Sequence, residues 1–487
     1  MEPRGFGPMT TLSGQGCGPR RHPIKKATSS IESRVGRSAP LGVLRDMAWH
    51  NLPAMTHPLL ARHDRLAVIL VIVALLAAAC GPSEASPTPT ATPTPTATPT
   101  EAPPTSPTPE PSPLDPAAAY DAIEQQVVAI RGLDPTSDVE RETLDEDQLA
   151  AEIKAIFAED SPPELVAANE RYYKALGLLP QDSDLEELTL ELLSGGVAGF
   201  YRNDQKKLYV LSKSGEIGGN EKITFAHEFD HALQDQHFTV FADQDGVTDQ
   251  SDRILARQAV YEGDATLLMS VWAGQHLGPQ DLQDIIAAAN DPESAALLER
   301  MPAILRDTLL YPYTTGLAFA QQAFVSGGWQ AIDALYDDMP ESTEQILHAD
   351  KWAAREAPKP VSLPRRLAAD MGRGWSLPLQ DTFGELQFGI WLRETGAPDS
   401  AEAAAGWGGD RLGVLEGPDG AWAVVMATDW DSAAEATEFE AAARVSVATL
   451  TDSARLLPGD GGTVRWILVA SDDATLGKVA AVLGLAG

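Results

Sequence analysis

Cysteine is nearly absent from this chain, with two residues in 487, Cys17 and Cys80. Both precede the part that shows hydrophobic periodicity. That part has neither a disulfide framework nor a thiolate metal site. Basic residues are scarce too, 36 Lys and Arg against 70 Asp and Glu, for a net charge of −34. Residues 1–79 carry +6, so residues 80–487 carry −40. Nucleic-acid binding needs basic patches, and this charge argues against it. It reads instead as a soluble surface kept apart by self-repulsion. No apolar run reaches the roughly 20 residues of a comfortable membrane span. No histidine follows His348, which argues against a zinc site confined to the C-terminal hundred residues. No internal repeat is present.

What is there changes character along the chain. Residues 1–54 mix Gly, Pro, Arg and Ser without periodicity and read as unstructured, or as sequence ahead of a true start at Met47 or Met55. Residues 55–80 follow the pattern of an export signal. Arg62 and Arg65 form a basic region, Leu66–Ala79 is an unbroken apolar run, and Cys80 follows Leu76-Ala77-Ala78-Ala79. Residues 81–115 are almost wholly Pro, Thr, Ser and Ala. Such a stretch cannot build a core and favours extended polyproline-II chain. Small residues before a lone Cys resemble the lipobox of bacterial lipoproteins, with Ala77 where that group usually has Leu. The resemblance implies cleavage before Cys80 and a lipid on its thiol. Cys80 would then be a membrane anchor, and the domain would stand on its stalk at the outer face of the bacterial cell membrane. An ordinary secretory signal with an incidental Cys is the alternative.

From residue 116 the expected class is α+β. Helical spacing covers Ala117–Leu133, Asp145–Phe157, Pro163–Leu178 and Ser183–Leu193. Two β-prone runs, Val197–Tyr201 and Lys207–Ser212, predict a hairpin. Helices follow around residue 230, over Asp249–His276 and in shorter pieces to 348. Tyr311-Pro312-Tyr313-Thr314-Thr315-Gly316 reads as a break among them. Residues 355–380 are Pro-rich, which places a boundary between a mainly helical domain, 116–375, and a small α+β domain, 376–487. For the latter the expectation is three strands, Arg411–Glu416, Ala421–Thr428 and Thr463–Ser471. The helices of 116–193 leave a propeptide role open.

Candidate chemistry centres on His227-Glu228-Phe229-Asp230-His231, an H-E-x-x-H pattern. With nine histidines in the chain, chance yields on the order of 0.01 such matches. On a helix, positions i and i+4 share a face, so both imidazoles can meet one metal ion. Glu228 is then placed to act as general base on a metal-bound water. A catalytic site needs a third ligand. His237 lies ten residues after His227, as in the metzincin pattern H-E-x-x-H-x-x-G-x-x-H. Gln234 stands where that pattern needs Gly, however. A continuing helix turns His237 about 240° away from His231. Glu262, on the next long helix, is the better candidate.

His227-Glu228-x-x-His231 followed by Glu262-Gly263-x-Ala265 resembles the gluzincin branch of zinc metallopeptidases. The resemblance implies a zincin-like fold and one Zn2+ held by His227, His231 and Glu262. It also implies hydrolysis of a peptide or protein substrate with Glu228 as base. An oxyanion donor is expected among His348, Tyr313 and Tyr311. Asp264 and Asp235 are candidates to orient the ligand imidazoles. By analogy with zincins, the strand Lys207–Ser212 would lie at a sheet edge and receive an extended substrate. The alternative is a non-catalytic surface lipoprotein that binds cell-wall or protein ligands on the same scaffold.

Overall fold

A computed structural model describes residues 116–212, 217–238 and 249–485 of the chain. The export signal, Cys80 and the Pro/Thr-rich stalk lie outside the described residues. Among the described residues no helix is long and apolar enough to cross a membrane. The class is α+β, with many helices around two separate sheets.

The chain opens with α1 (Pro116–Arg131), β1 (Glu140–Leu144), α2 (Glu146–Asp160), α3 (Pro163–Ala175) and α4 (Leu185–Gly196). Local chemistry sets these starts. Asp145 caps α2 in a reciprocal box with Gln148, and Pro163 sits in the first turn of α3, where its missing N–H has no helical partner to lose. Next come β2 (Gly199–Arg202), β3 (Lys207–Leu211), α5 (Gly219–His237) and α6 (Ser251–His276).

The hairpin β2–β3 forms as expected, but the sheet has a third member. Its order is β1-β3-β2, with β1 parallel to β3 and β2 antiparallel to it. The strand predicted at an edge, β3, is therefore the inner one. The reason is β1, whose sequence Glu-Arg-Glu-Thr-Leu is nearly all polar and carries no apolar alternation. Only Leu144 at its end is buried.

The second sheet is antiparallel, ordered β4-β5-β6-β8-β7. Its strands are β4 (Ser376–Asp381), β5 (Trp407–Glu416), β6 (Trp422–Trp430), β7 (Ser453–Pro458) and β8 (Val464–Ala470). Five strands stand where three were expected. The two missed, β4 and β7, are the edges, and each contains a proline. The longer helices of this region are α7 (Gly384–Glu394), α8 (Ala433–Thr449) and α9 (Asp473–Val482). Both faces of the sheet are buried, as period-two alternation allows. Val424, Met426, Ile467 and Val469 face one core, and Val425, Ala427, Leu468 and Ala470 face the other. The first core includes Ala168, Tyr172 and Ala175 of α3, so the sheet and the helical part share buried surface.

Candidate metal centre

Helix α5 carries the H-E-x-x-H residues and is buried on almost every side. At its start Glu221 accepts a bond from the Gly218 N–H at 3.0 Å. Its apolar side chains Ile223, Phe225, Phe229 and Leu233 join Leu208 and Val210 of β3. The same core includes Tyr120, Ile123 and Val127 of α1 and Leu268 and Trp272 of α6. Burying that stripe fixes the rotation of the helix, and with it the direction of the polar residues between.

His227 and His231 lie one above the other, their ring planes 89° apart and centroids 4.7 Å apart. Their Nε2 atoms are 3.1 Å from each other. Glu262, on α6, places Oε2 3.1 Å from Nε2 of His227 and 3.2 Å from Nε2 of His231. All three side chains are buried. The structure thus brings together the three residues proposed as ligands from sequence. A tetrahedral ion about 2.0–2.1 Å from each atom would set them about 3.4 Å apart, close to the observed triangle. Two imine nitrogens facing each other can share at most one proton, so a cation on their common side suits them better. Two nitrogens and one carboxylate oxygen suit zinc rather than calcium or magnesium, which take oxygen cages. The residues fit the ion.

The electrostatics of the triangle favour positive charge between its members. Burial opposes charge on the His231 ring, but the Glu262 carboxylate prevails and raises its pKa to about 10. Burial likewise opposes ionisation of Glu262, yet His231 and His227 hold it well below the usual carboxylate range. Glu228 is pushed up by burial, against the pull of His227 and His231. Its carboxylate accepts a bond from the Tyr201 backbone N–H on β2. The rise moves the carboxyl towards the range in which one group can take a proton and return it.

A π-helical turn, Pro312–Gly316, continues the helix Ala303–Tyr311, so the expected break is absent. The turn lies against α6, backbone on backbone. A Cβ on Gly263 would sit 2.3 Å from the Gly316 carbonyl oxygen, and one on Gly316 would sit 2.2 Å from that of Ala259. Only glycine permits this approach. The turn delivers Tyr313, whose hydroxyl hydrogen-bonds Glu262 and whose ring centroid is 6.1 Å from that of His227. Burial first, then Glu262 and Glu228, keep its phenol neutral.

The other two donor candidates lie elsewhere. The Tyr311 hydroxyl donates to the Thr343 carbonyl at 3.2 Å, and His348 Nε2 is 2.8 Å from Glu385 Oε1. The reason is geometric, since Tyr311 and Tyr313 stand two residues apart on a helical turn and so point differently. His237 contacts the Asp134 carbonyl at 2.7 Å and not the ligand triangle. Asp235 is also outside the centre, accepting from the Tyr201 hydroxyl at 2.7 Å and Lys206 at 2.6 Å. Asp264 lies beneath it, contacted by Arg131, Gln234 and Tyr336 rather than by an imidazole.

Sequence reasoning missed the residue that does touch a ligand imidazole. Gln234 Oε1 is 2.9 Å from His231 Nδ1. Its position, three residues after His231 on the same helical face, was an available signal. Arg131, the buried cation below, had none. The second grouping of possible metal ligands, Glu344, Glu356 and Asp431, already encloses a cation. Lys351 Nζ is 2.5 Å from Glu344 and 2.6 Å from Asp431.

Residues 375–479 match a family described as a domain of unknown function, DUF8575. That span runs from just before β4 into α9 and excludes the metal centre. A search of curated proteins gives no match. Among solved structures, one from Chloroflexus aurantiacus titled "a putative hydrolase with a novel fold" is similar at 20% identity. The match covers 50% of this chain and 92% of that one, with a TM-score of 0.33. Likeness at that level carries no argument about fold or activity.

Proposed function

We propose that this chain is a zinc-dependent peptidase of the gluzincin type on a zincin-like fold. We further propose that it is held at the outer face of the membrane through a lipid on Cys80. The observation that carries the reading is the buried triangle of His227, His231 and Glu262, with Glu228 beside it. His227, His231 and Glu262 would hold one zinc ion and leave a fourth position open. Zinc there supplies Lewis acidity, polarising a carbonyl and acidifying a water.

The chain's own groups do the rest. Glu228 takes the proton from the attacking water and returns it to the leaving amine. Neutral Tyr313 would serve as a donor beside the ligands by turning its hydroxyl from Glu262 to the substrate oxygen, where negative charge develops. An extended peptide has its natural seat on β2 rather than β3. The Leu211 N–H bonds the Ala198 carbonyl at 2.8 Å, so Gly199 and Tyr201 turn their backbone groups away from β3. That outer edge is the one whose Tyr201 N–H already reaches Glu228.

The test uses the full chain, with bound zinc measured and a mixed peptide library digested with and without chelator. One zinc per chain and chelator-sensitive cleavage are expected. Glu228→Gln should keep the zinc and lose cleavage by about 10²–10⁴-fold. Glu262→Ala should lose the zinc, whereas His237→Ala should keep it. Stoichiometric zinc with no cleavage of any peptide would sink the peptidase reading and favour a binding role.

A further inference from the structure

We propose that Gln234 is a positioning residue, the last member of a buried relay, Arg131–Asp264–Gln234, that fixes the His231 ring. Within it Nδ1–H points to Gln234 and Nε2 points to His227 and Glu262. The inference rests on the reading of these residues as a metal centre and concerns how the centre is held rather than what it cleaves.

The direction of the Gln234 amide follows from its surroundings. Its Nε2 lies 3.0 Å from the Tyr261 carbonyl, 3.2 Å from Asp230 Oδ2 and 3.3 Å from Asp264 Oδ2. The Tyr261 carbonyl can only accept, and Asp264 Oδ2 already accepts from Arg131 and Tyr336. Turning the amide over would set its oxygen against three other oxygens. The nitrogen must therefore face them, and Oε1 must face His231. An amide oxygen can only accept, so His231 Nδ1 is the donor. In a neutral ring the lone pair then lies on Nε2, the atom that meets the ligand triangle. A bond of this kind also makes the ligating nitrogen more basic.

The two carboxylates that hold Gln234 are 0% and 1% exposed. Buried carboxylates side by side need a counter-charge. Arg131, the last residue of α1, supplies it. Its Nη2 is 3.0 Å from Asp264 Oδ2, and its Nε is 3.8 Å from Asp230 Oδ1. Nη1 reaches Asp333 at 2.6 Å, and Trp329 covers the guanidinium at 5.0 Å. The Tyr336 hydroxyl adds a bond to Asp264 at 2.7 Å. Sequentially, Arg131 and His231 are 100 residues apart, yet two side chains connect them. Helix α1 is thus built into the centre.

The experiment compares full-length wild type with Gln234→Leu and Gln234→Glu. Zinc affinity is read by competition with a chromogenic chelator. The His231 imidazole is read by NMR of ¹⁵N-histidine-labelled, metal-free protein. The expected result for Gln234→Leu is zinc affinity weaker by about 10–100-fold, with loss of a slowly exchanging Nδ1–H resonance. Gln234→Glu keeps the oxygen that accepts from Nδ1–H but sets its second oxygen against the Tyr261 carbonyl and both carboxylates, so it should keep the resonance while lowering thermal stability. If the leucine variant does not fold, Gln234→Asn, the same amide one methylene short, takes its place with the same expectation. A purely structural role would lower thermal stability without moving affinity or the resonance. For Gln234→Leu or its substitute, zinc affinity within about threefold of wild type, or a retained resonance, overturns the relay. Wild type that binds no zinc would end the metal reading, and the resonance would then decide the relay alone.

Discussion

Tyr311 and Tyr313 differ by two positions and belong to different parts of the molecule. Tyr313 bonds Glu262, whereas Tyr311 bonds the Thr343 carbonyl, near Asp252 and Glu385. Replacing each with Phe removes one hydroxyl and little volume. Tyr313→Phe should lower peptide turnover by about 10²-fold at unchanged zinc content. Tyr311→Phe should leave turnover within about twofold and cost about 1 kcal/mol of stability in urea unfolding. Steady-state rates with a shared peptide substrate decide between them, and equal effects would deny Tyr313 its place beside the reacting atoms. At this scale the sequence spoke clearly where a spacing rule applied. His227, Glu228 and His231 share a helix, so i and i+4 place them without further knowledge. Glu262 was found because Glu-Gly-x-Ala accompanies such sites. The choice among Tyr311, Tyr313 and His348 was not legible, because it turns on the rotation of a π-helical turn. Arg131 was hidden altogether, since its partners come from three other helices.

Among the elements, the π-helical turn and α6 form the contact that sets this geometry. Gly263 is there for the neighbour, not for its own backbone. A methyl on it would meet the Gly316 carbonyl oxygen at 2.3 Å, and both partners are backbone, so neither can swing aside. Gly263→Ala should therefore cost about 1–3 kcal/mol, as overpacking does. The same change should slow turnover more than it weakens zinc, because the turn carries Tyr313 while two of the three ligands sit on α5. Urea unfolding and zinc competition on one preparation check both halves. Unchanged stability would mean that the two segments can slide apart freely. Elements with apolar periodicity, such as α1, α5, α6 and β6, were readable with small errors at their ends. Polar β1 and the proline-bearing edges β4 and β7 were not, since strands that bury little leave little pattern. Missing β1 also misplaced the sheet edge. With β1 on one side and β2 on the other, β3 has no side left for a substrate.

Across the whole molecule, buried carboxylates join the helical part to the five-stranded sheet. Asp381 of β4 accepts from Ser251 N at 2.8 Å and Ser251 Oγ at 2.5 Å, at the start of α6. Asp410 of β5 accepts from the Phe383 and Gly384 N–H groups at 2.8 and 2.9 Å. Asp252 accepts from Thr343 Oγ1 at 2.5 Å and lies directly under Gly384, where a Cβ would meet it at 1.8 Å. The Pro-rich segment before 376 suggested separate domains, but residues from α3 and this junction both lie beyond any reading of local composition. Burial pushes the Asp252 carboxyl up to about 7 despite its bonds from Thr343, with Asp410 adding to the rise. Its unfolded value is about 3.9. The folded chain therefore holds a proton there that the unfolded chain has released, between about pH 4 and pH 7. Stability from this group is full below that window and is lost as pH rises through it. Asp252→Asn keeps the shape and an acceptor oxygen for Thr343 but cannot ionise. Urea unfolding at pH 5 and pH 8 should show wild type losing about 2 kcal/mol more than the variant over that interval. Equal losses would mean that Asp252 is already ionised at pH 5, and that the junction tolerates a bare carboxylate between α6 and the sheet.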